Sequence, residues 1–173
     1  MTAKDVIQRL ELQPLPEEGG YFRSTWVGPV GSFRTIDGQT EARAQGSAIY
    51  ALFTEQHFSA LHRLATDELW HFYAGDPLEL LLLHADGRIQ PIALGSELLH
   101  GQRPQVLVPA GVWQGARPRS FTTQTHSHGW TLVGCTLSPS FKWEEFELGD
   151  REKLVAQYPS AREAILALTR SVS

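Results

Sequence analysis

The stretch HRLATDELWHFYAG, His62 to Gly75, decides how the chain is read. It sets a histidine on one short apolar run, SALHRL, then a polar turn, then a glutamate opening a second run, ELWHFYA. An antiparallel barrel uses that order to point several side chains at one interior spot. Successive strand residues face opposite sides, so Glu68, Trp70 and Phe72 share one face, with Leu69, His71 and Tyr73 on the other. If Glu68 faces the interior, His71 does not. Further along, PAGVWQG supplies a Pro-x-Gly turn at Pro109 to Gly111, after which Val112 and Gln114 share a face and Trp113 lies opposite. Gln114 is thereby a candidate to meet Glu68.

Around this stretch the signals from Gly19 to about Phe146 are those of strands, short apolar or alternating runs separated by Gly, Pro and Asp. The runs are YFRSTW, SAIYALF, SALHRL, ELWHFYA, LELLLLH, RIQPIAL, QVLVP, VWQGA, SFTTQTH and WTLVGCTL, about ten strands in all. Ala85-Asp86-Gly87 predicts a tight hairpin joining LELLLLH to RIQPIAL, because Gly accepts positive φ. At the start, residues 2 to 11 read as a short helix. Thr2 caps it, Asp5 completes a capping box, and Val6, Ile7 and Leu10 share one face. It is placed as a lid over one end of the domain. After Phe146 the spacing of Leu154, Val155, Tyr158, Ala161, Ile165 and Leu168 predicts helices over about 150–170, broken near Pro159 and packed on the outside. Nothing divides the chain, so residues 1–173 read as one domain with a barrel core over about 19–148. The class is all-β, either a sandwich or a jelly-roll barrel.

Composition narrows the partners. With 173 residues, 42% apolar and 20% charged, the chain can bury one substantial core. Fifteen basic and nineteen acidic residues leave a formal charge of −4, and no Lys/Arg cluster offers a phosphate backbone a footing. Nucleic acid is excluded as a partner. No apolar run approaches the roughly 18 to 20 residues that span a bilayer, and MTAKDVIQRL lacks a signal peptide's apolar stretch. The expectation is a cytosolic (cytoplasmic) protein with no membrane contact. Cys135 is the single cysteine, which fits a reducing compartment and reads as a buried, inert thiol.

These motifs resemble those of the cupin superfamily. The first cupin motif has two histidines separated by one residue, a glutamate shortly after, and a glycine seven residues beyond it. His62, Glu68 and Gly75 match, while Leu64 stands where the second histidine would be. The second motif has Pro-x-Gly, two residues, then a histidine; Pro109 and Gly111 match, and Gln114 stands in the histidine's place. The chain is also similar to a family of small cupins classed as a domain of unknown function. The blocks EEGGYFRSTW, DELWHFYAGDPLEL, VPAGVWQ and LVGCTLSPSFKWEEFEL carry that likeness. The resemblance implies a cupin jelly-roll barrel, that is, a double-stranded β-helix, in a homodimer. It leaves function open, because the superfamily includes epimerases, isomerases, dioxygenases, storage proteins and ligand-binding modules.

Several chemistries fit the candidate residues. A metal would rest on His62, Glu68 and Gln114, of which the amide is a weak ligand for a transition metal, so the cofactor expectation runs from none to a weakly held divalent ion. In metal-free acid–base catalysis, Glu68 would have its pKa raised by desolvation, His62 would be the base, and Tyr21 or Tyr50 the acid. Trp70, Phe72 and Gln114 are assigned to ligand binding in the pocket, Trp70 stacking on a ring or sugar. Arg23 shares the face of Tyr21 and Thr25, where its fork would clamp a phosphate or carboxylate, or meet a dimer partner. His126 and His128 read as a polar hairpin tip, and His57, His84 and His100 as surface. The leading expectation is binding of a small polar or anionic metabolite, such as a sugar or nucleotide derivative, with any chemistry being isomerase-like or epimerase-like proton transfer. The alternatives are a metal-dependent isomerase or dioxygenase and a non-catalytic sensor.

Overall fold

The alternating runs condense into antiparallel strands because each has one apolar face to hide and a turn to reverse it. The computed structural model describes residues 1–34, 38–119 and 127–170. Its strands are β1 (Gln13–Pro14), β2 (Tyr21–Val27), β3 (Val30–Arg34), β4 (Thr40–Ala44), β5 (Ser47–Thr54), β6 (Ser59–Leu64), β7 (Glu68–Gly75), β8 (Leu78–Leu83), β9 (Ile89–Leu94), β10 (Gln105–Val108), β11 (Trp113–Pro118), β12 (Trp130–Leu137) and β13 (Phe146–Leu148). The helices are α1 (Ala3–Arg9), α2 (Arg151–Gln157) and α3 (Arg162–Ala167). One sheet runs β1-β2-β5-β12-β7-β10, a second β13-β6-β11-β8-β9, and β3 pairs with β4 as a separate hairpin. The two large sheets face each other as a jelly-roll barrel.

Between them lies the main core, where Trp70, Leu78, Leu80, Leu82, Val106 and Val133 pack together. Side chains of this size each contribute roughly 1.5–3 kcal/mol on burial. The back of the five-stranded sheet presents Leu61, Leu81, Leu83 and Trp113, which α2 and α3 cover with Leu154, Tyr158, Ile165 and Leu168. Pro159 opens the single turn between these helices, as the sequence predicts. The capping box at Thr2 and Asp5 also forms. Its helix lies elsewhere than expected: α1 packs through Val6 against Leu52 and Trp130, on the outer face of the six-stranded sheet and not over the barrel's end. Those two large apolar residues face outward and need cover. Among the described residues, no helix is long and apolar enough to cross a membrane.

β8 and β9 pair from Leu78↔Leu94 to Leu83↔Ile89, the hairpin that Asp86-Gly87 predicts. The β3–β4 hairpin and the short β1 and β13 carry too little alternation to be read from sequence. The expected strand SFTTQTH and His126 lie outside the described residues.

Gly75 ends β7 at φ +96°, where an added Cβ would sit 2.2 Å from the Trp130 carbonyl oxygen. Gly87 has a similar φ of +86° with open space around it. Gly87→Ala is therefore expected to cost about 1 kcal/mol, the left-handed penalty alone. Gly75→Ala adds a backbone clash and should cost more than about 3 kcal/mol. Urea denaturation of the two variants measures both, and equal losses would contradict the close approach at Gly75.

Candidate functional site

Glu68 opens β7 with Leu137 and Val108 as its neighbours across β12 and β10. His62 lies in β6 of the opposite sheet, paired with Gln114 of β11. The facing sheets thus bring together the glutamate, histidine and glutamine singled out by the motifs. All three are buried, at 6%, 2% and 1% exposure.

Their hydrogen bonds are directional. Trp70 Nε1 can only donate, and it donates to Gln114 Oε1 at 2.8 Å and to Glu68 Oε2 at 3.2 Å. This fixes the amide of Gln114 with its oxygen toward the indole, so its Nε2 donates to Glu68 Oε2 at 2.7 Å. One carboxylate oxygen holds both donors, and a proton on Glu68 belongs on the other, Oε1. Burial pushes the Glu68 pKa up to about 7 and the charge of Glu18 adds to the rise. The charge of His62 and the bonds from Gln114 and Trp70 oppose it. Beneath the carboxylate, burial holds the Cys135 thiol well above its usual range, and the charges of Glu68 and Glu18 raise it further. It is the inert thiol the sequence implies.

His62 is oriented from the other side. Its Nδ1 lies 2.8 Å from the Ala60 carbonyl oxygen, an acceptor, which places the ring proton on Nδ1 and leaves Nε2 as the free nitrogen. Nε2 is 3.9 Å from Glu18 Oε2. The other oxygen of Glu18 accepts a 2.6 Å bond from Ser59 Oγ. Glu18 is positioned by the Leu15–Gly20 turn, closed by Gly19 N–H to the Leu15 carbonyl, while its own carbonyl accepts from Ala60 N–H and Arg170.

A cavity of about 280 Å³ opens above these groups, at the small end of ordinary ligand pockets. Glu18, His62, Leu64 and Glu68 line its floor, with Phe22, Phe141, Trp143 and Phe146 among its walls. The wall segment is tied down by Arg43, which is 7% exposed. Arg43 Nε donates to the Ser140 carbonyl at 2.6 Å, and its two terminal nitrogens clasp Glu145 at 2.8 and 2.9 Å. A larger, shallower hollow of about 640 Å³ runs along Glu79, Arg117, Arg119 and α3. Among the described residues it holds no comparable buried acid–base group.

Six expected pocket residues stand elsewhere: Gln114, though it bonds Glu68, is not among the residues lining the cavity, and five more lie in the core or on the outer face. Trp70 is 1% exposed and stacks on Phe53 at 5.9 Å, so it supports Glu68 from within the core and presents no face to a ligand. Phe72 packs against the same core. On β2 the inward residues are Phe22 and Ser24. Tyr21 therefore faces outward into the cluster beneath α1, and Arg23 pairs there with Glu11 at 3.1 Å, over the Tyr50 ring. Both faces of β2 carry aromatic residues and none of its residues is fully buried, which hid the phase of the strand from sequence. Tyr50 is likewise in the outer cluster. His71 lies on the outer face within reach of Gln105 and Thr136, and the exposed His128 leans on Trp130. Glu18 is the residue that sequence reasoning missed: it sits in the EEGGYFRSTW block, but in a turn, where strand parity says nothing.

The weakly held divalent ion that the sequence left open would rest on His62, Glu68 and Gln114, and this donor set does not fit one. Zinc and iron sites draw at least three strong donors to a point. Gln114 turns its oxygen to the indole and its N–H to Glu68, and Leu64 supplies only a methyl surface. Among the described residues, no group of three His, Cys, Asp or Glu could hold a metal ion.

The comparisons agree with this architecture. A hypothetical protein from Leishmania major superposes with a TM-score of 0.85 at 30% identity, over 99% of this chain and 100% of that one. A protein from Shewanella oneidensis gives 0.84 at 34% identity, over 99% of both chains. A variant of Bacillus subtilis oxalate decarboxylase shares the fold alone, at 13% identity and a TM-score of 0.52, over 92% of this chain and 38% of that one. No curated protein matches the chain in sequence. The model of the family described as Cupin superfamily (DUF985) matches residues 4–149, and the chain belongs to that family.

Proposed function

We propose that the chain binds a small polar molecule in the barrel cavity and moves a proton on it through Glu68, with His62 as the second group. The observation that carries this reading is the state of Glu68: buried at the cavity floor, pinned through one oxygen, and raised to about 7. A carboxyl group titrating near neutral pH gives and takes protons with equal ease, as general acid–base chemistry requires. His62 enters the cavity from the facing sheet with Nε2 available, so the two groups reach the cavity from different sheets. The reaction class is isomerisation or epimerisation, in which one group takes a proton from carbon beside a carbonyl and the other returns one. An anion-clamping role for Arg23 finds no support, since that side chain is paired with Glu11 on the outer face. The same proposal places the chain in the cytosol as a homodimer. Tyr73 and Leu107, half-exposed on the outer face of adjacent strands, are surface available for that association.

Incubating the protein with small aldoses, ketoses and amino ketones in deuterium oxide tests the chemistry by proton NMR. The expected result is deuterium entering the carbon beside the carbonyl of one compound, at a rate that Glu68→Gln lowers by about a hundredfold or more. Exchange unaffected by that substitution would sink the proposal.

The raised value also has a signature in stability. Between pH 4.5 and about 7 the folded chain keeps a proton on Glu68 that the unfolded chain has released, so stability falls as pH rises through that window and stays lower above it. The loss is on the order of 3 kcal/mol. Gln at position 68 accepts the same two hydrogen bonds without ionising. Glu68→Gln should melt well above the parent at pH 8 and close to it at pH 4.5, and a variant that destabilises equally at both would contradict the desolvated carboxyl.

A further inference from the structure

The cavity's lining also identifies the charge of what it takes, an inference that rests on the cavity being the ligand site. Its polar floor carries two carboxyl groups, Glu18 and Glu68. His62 offers the lone pair of Nε2 when the imidazole is neutral, because Nδ1 is committed to the Ala60 carbonyl. No Lys or Arg occurs among the described residues that line it. The nearby cations are turned away into their own partners, Arg43 to Glu145 and Lys142 to Glu41 at 2.5 Å. An anion would meet the oxygens of two carboxyl groups, with His62, in its protonated form, the one lining side chain among the described residues able to balance its charge.

Another part of the lining is aromatic and angular. Phe141 and Trp143 meet at 87° with centroids 4.9 Å apart, Trp143 and Phe146 at 69° and 5.4 Å, and Phe141 and Phe146 at 66° and 6.4 Å. Rings set edge to face cannot all turn the same way, so the three line the cavity at different angles instead of forming one flat platform. Trp143 remains 47% exposed at the mouth, a large indole left in water beside the cavity. Behind the corner, Phe146 stacks on His62 at 5.2 Å and joins the aromatic wall to the acidic floor. Aromatic faces combined with carboxylates are the chemistry that holds an organic ammonium group.

We propose that the cavity takes a small organic cation, an ammonium group on a compact apolar body, with the charge between the ring corner of Phe141, Trp143 and Phe146 and the carboxyl groups of Glu18 and Glu68. Its role for Glu18 is electrostatic: Ser59 holds one oxygen and the other is left to face the cation.

Three probes of nearly equal shape separate charge from size: choline, neohexyl alcohol, in which carbon replaces the ammonium nitrogen, and tert-butylacetate, which is anionic. Each is titrated into the full chain while the indole N–H signal of Trp143, assigned with Trp143→Phe, is followed by NMR. Choline is expected to bind at least about tenfold more tightly than the alcohol, and the anion not measurably. Glu18→Gln, which keeps the Ser59 bond, should remove about tenfold of choline affinity and leave the alcohol unchanged. Trp143→Ala, at an exposed position and followed through the ring signals of His62 because the indole is gone, should weaken choline by a similar factor. Equal or tighter binding of the alcohol or the anion would overturn the cation assignment while leaving the cavity as the ligand site. If none of the three moves a cavity signal, the assignment also falls, and deuterium exchange still decides separately on proton transfer.

Discussion

One carboxylate oxygen between two sheets is the constraint on which this molecule turns. Glu68 Oε2 takes a hydrogen bond from Trp70 on its own strand and another from Gln114 on the opposite sheet. A buried carboxylate is costly unless such donors surround it, and each donor would be costly without the carboxylate. The three side chains are therefore held as a unit. Because Gln114 also accepts from Trp70, the triangle closes and the amide cannot turn over without losing both bonds. The indole of Trp70, stacked on Phe53, fixes this arrangement to the core.

Desolvation and pinning then work against each other in a useful way. The donors favour the ionised form and burial the neutral one, and the balance falls near neutrality. Histidine in place of Gln114 and Leu64 would turn the same frame into a set of metal ligands. With an amide donating to Glu68 and a leucine lining the floor, the frame instead holds a buried carboxyl group, the one that the proposed proton transfer uses. The ionisation that the proposed chemistry needs is the same ionisation that weakens the fold as pH rises toward 7.

The sequence disclosed most of this frame because strand parity and turn chemistry are local. His62, Glu68, Gly75, Pro109 and Gly111 sit at positions whose spacing depends on one turn each, and the structure brings His62, Glu68 and Gln114 together accordingly. Parity failed where neither face of a strand is fully buried. On β2 it left Tyr21 and Arg23 as well placed as Phe22 and Ser24, and only the packing of α1 on the outer face separates them. Trp70 was assigned to the correct face but to the wrong layer, since a side chain can point inward and still be sealed under its neighbours. Glu18, Phe141 and Trp143 lie in turns and irregular segments whose positions follow from long-range contacts, through Arg170, Ser59 and Arg43, that no periodicity records.

The account stands most directly on the titration of Glu68 itself. Carboxyl-carbon NMR of glutamate-labelled protein, with the Glu68 signal assigned by its loss in Glu68→Gln, follows that group alone from acid to alkaline pH. A midpoint close to 7 is the predicted result. A midpoint near the ordinary glutamate value of 4.5 would show a solvated carboxylate, and the closed triangle with Trp70 and Gln114 would not be the centre of the site.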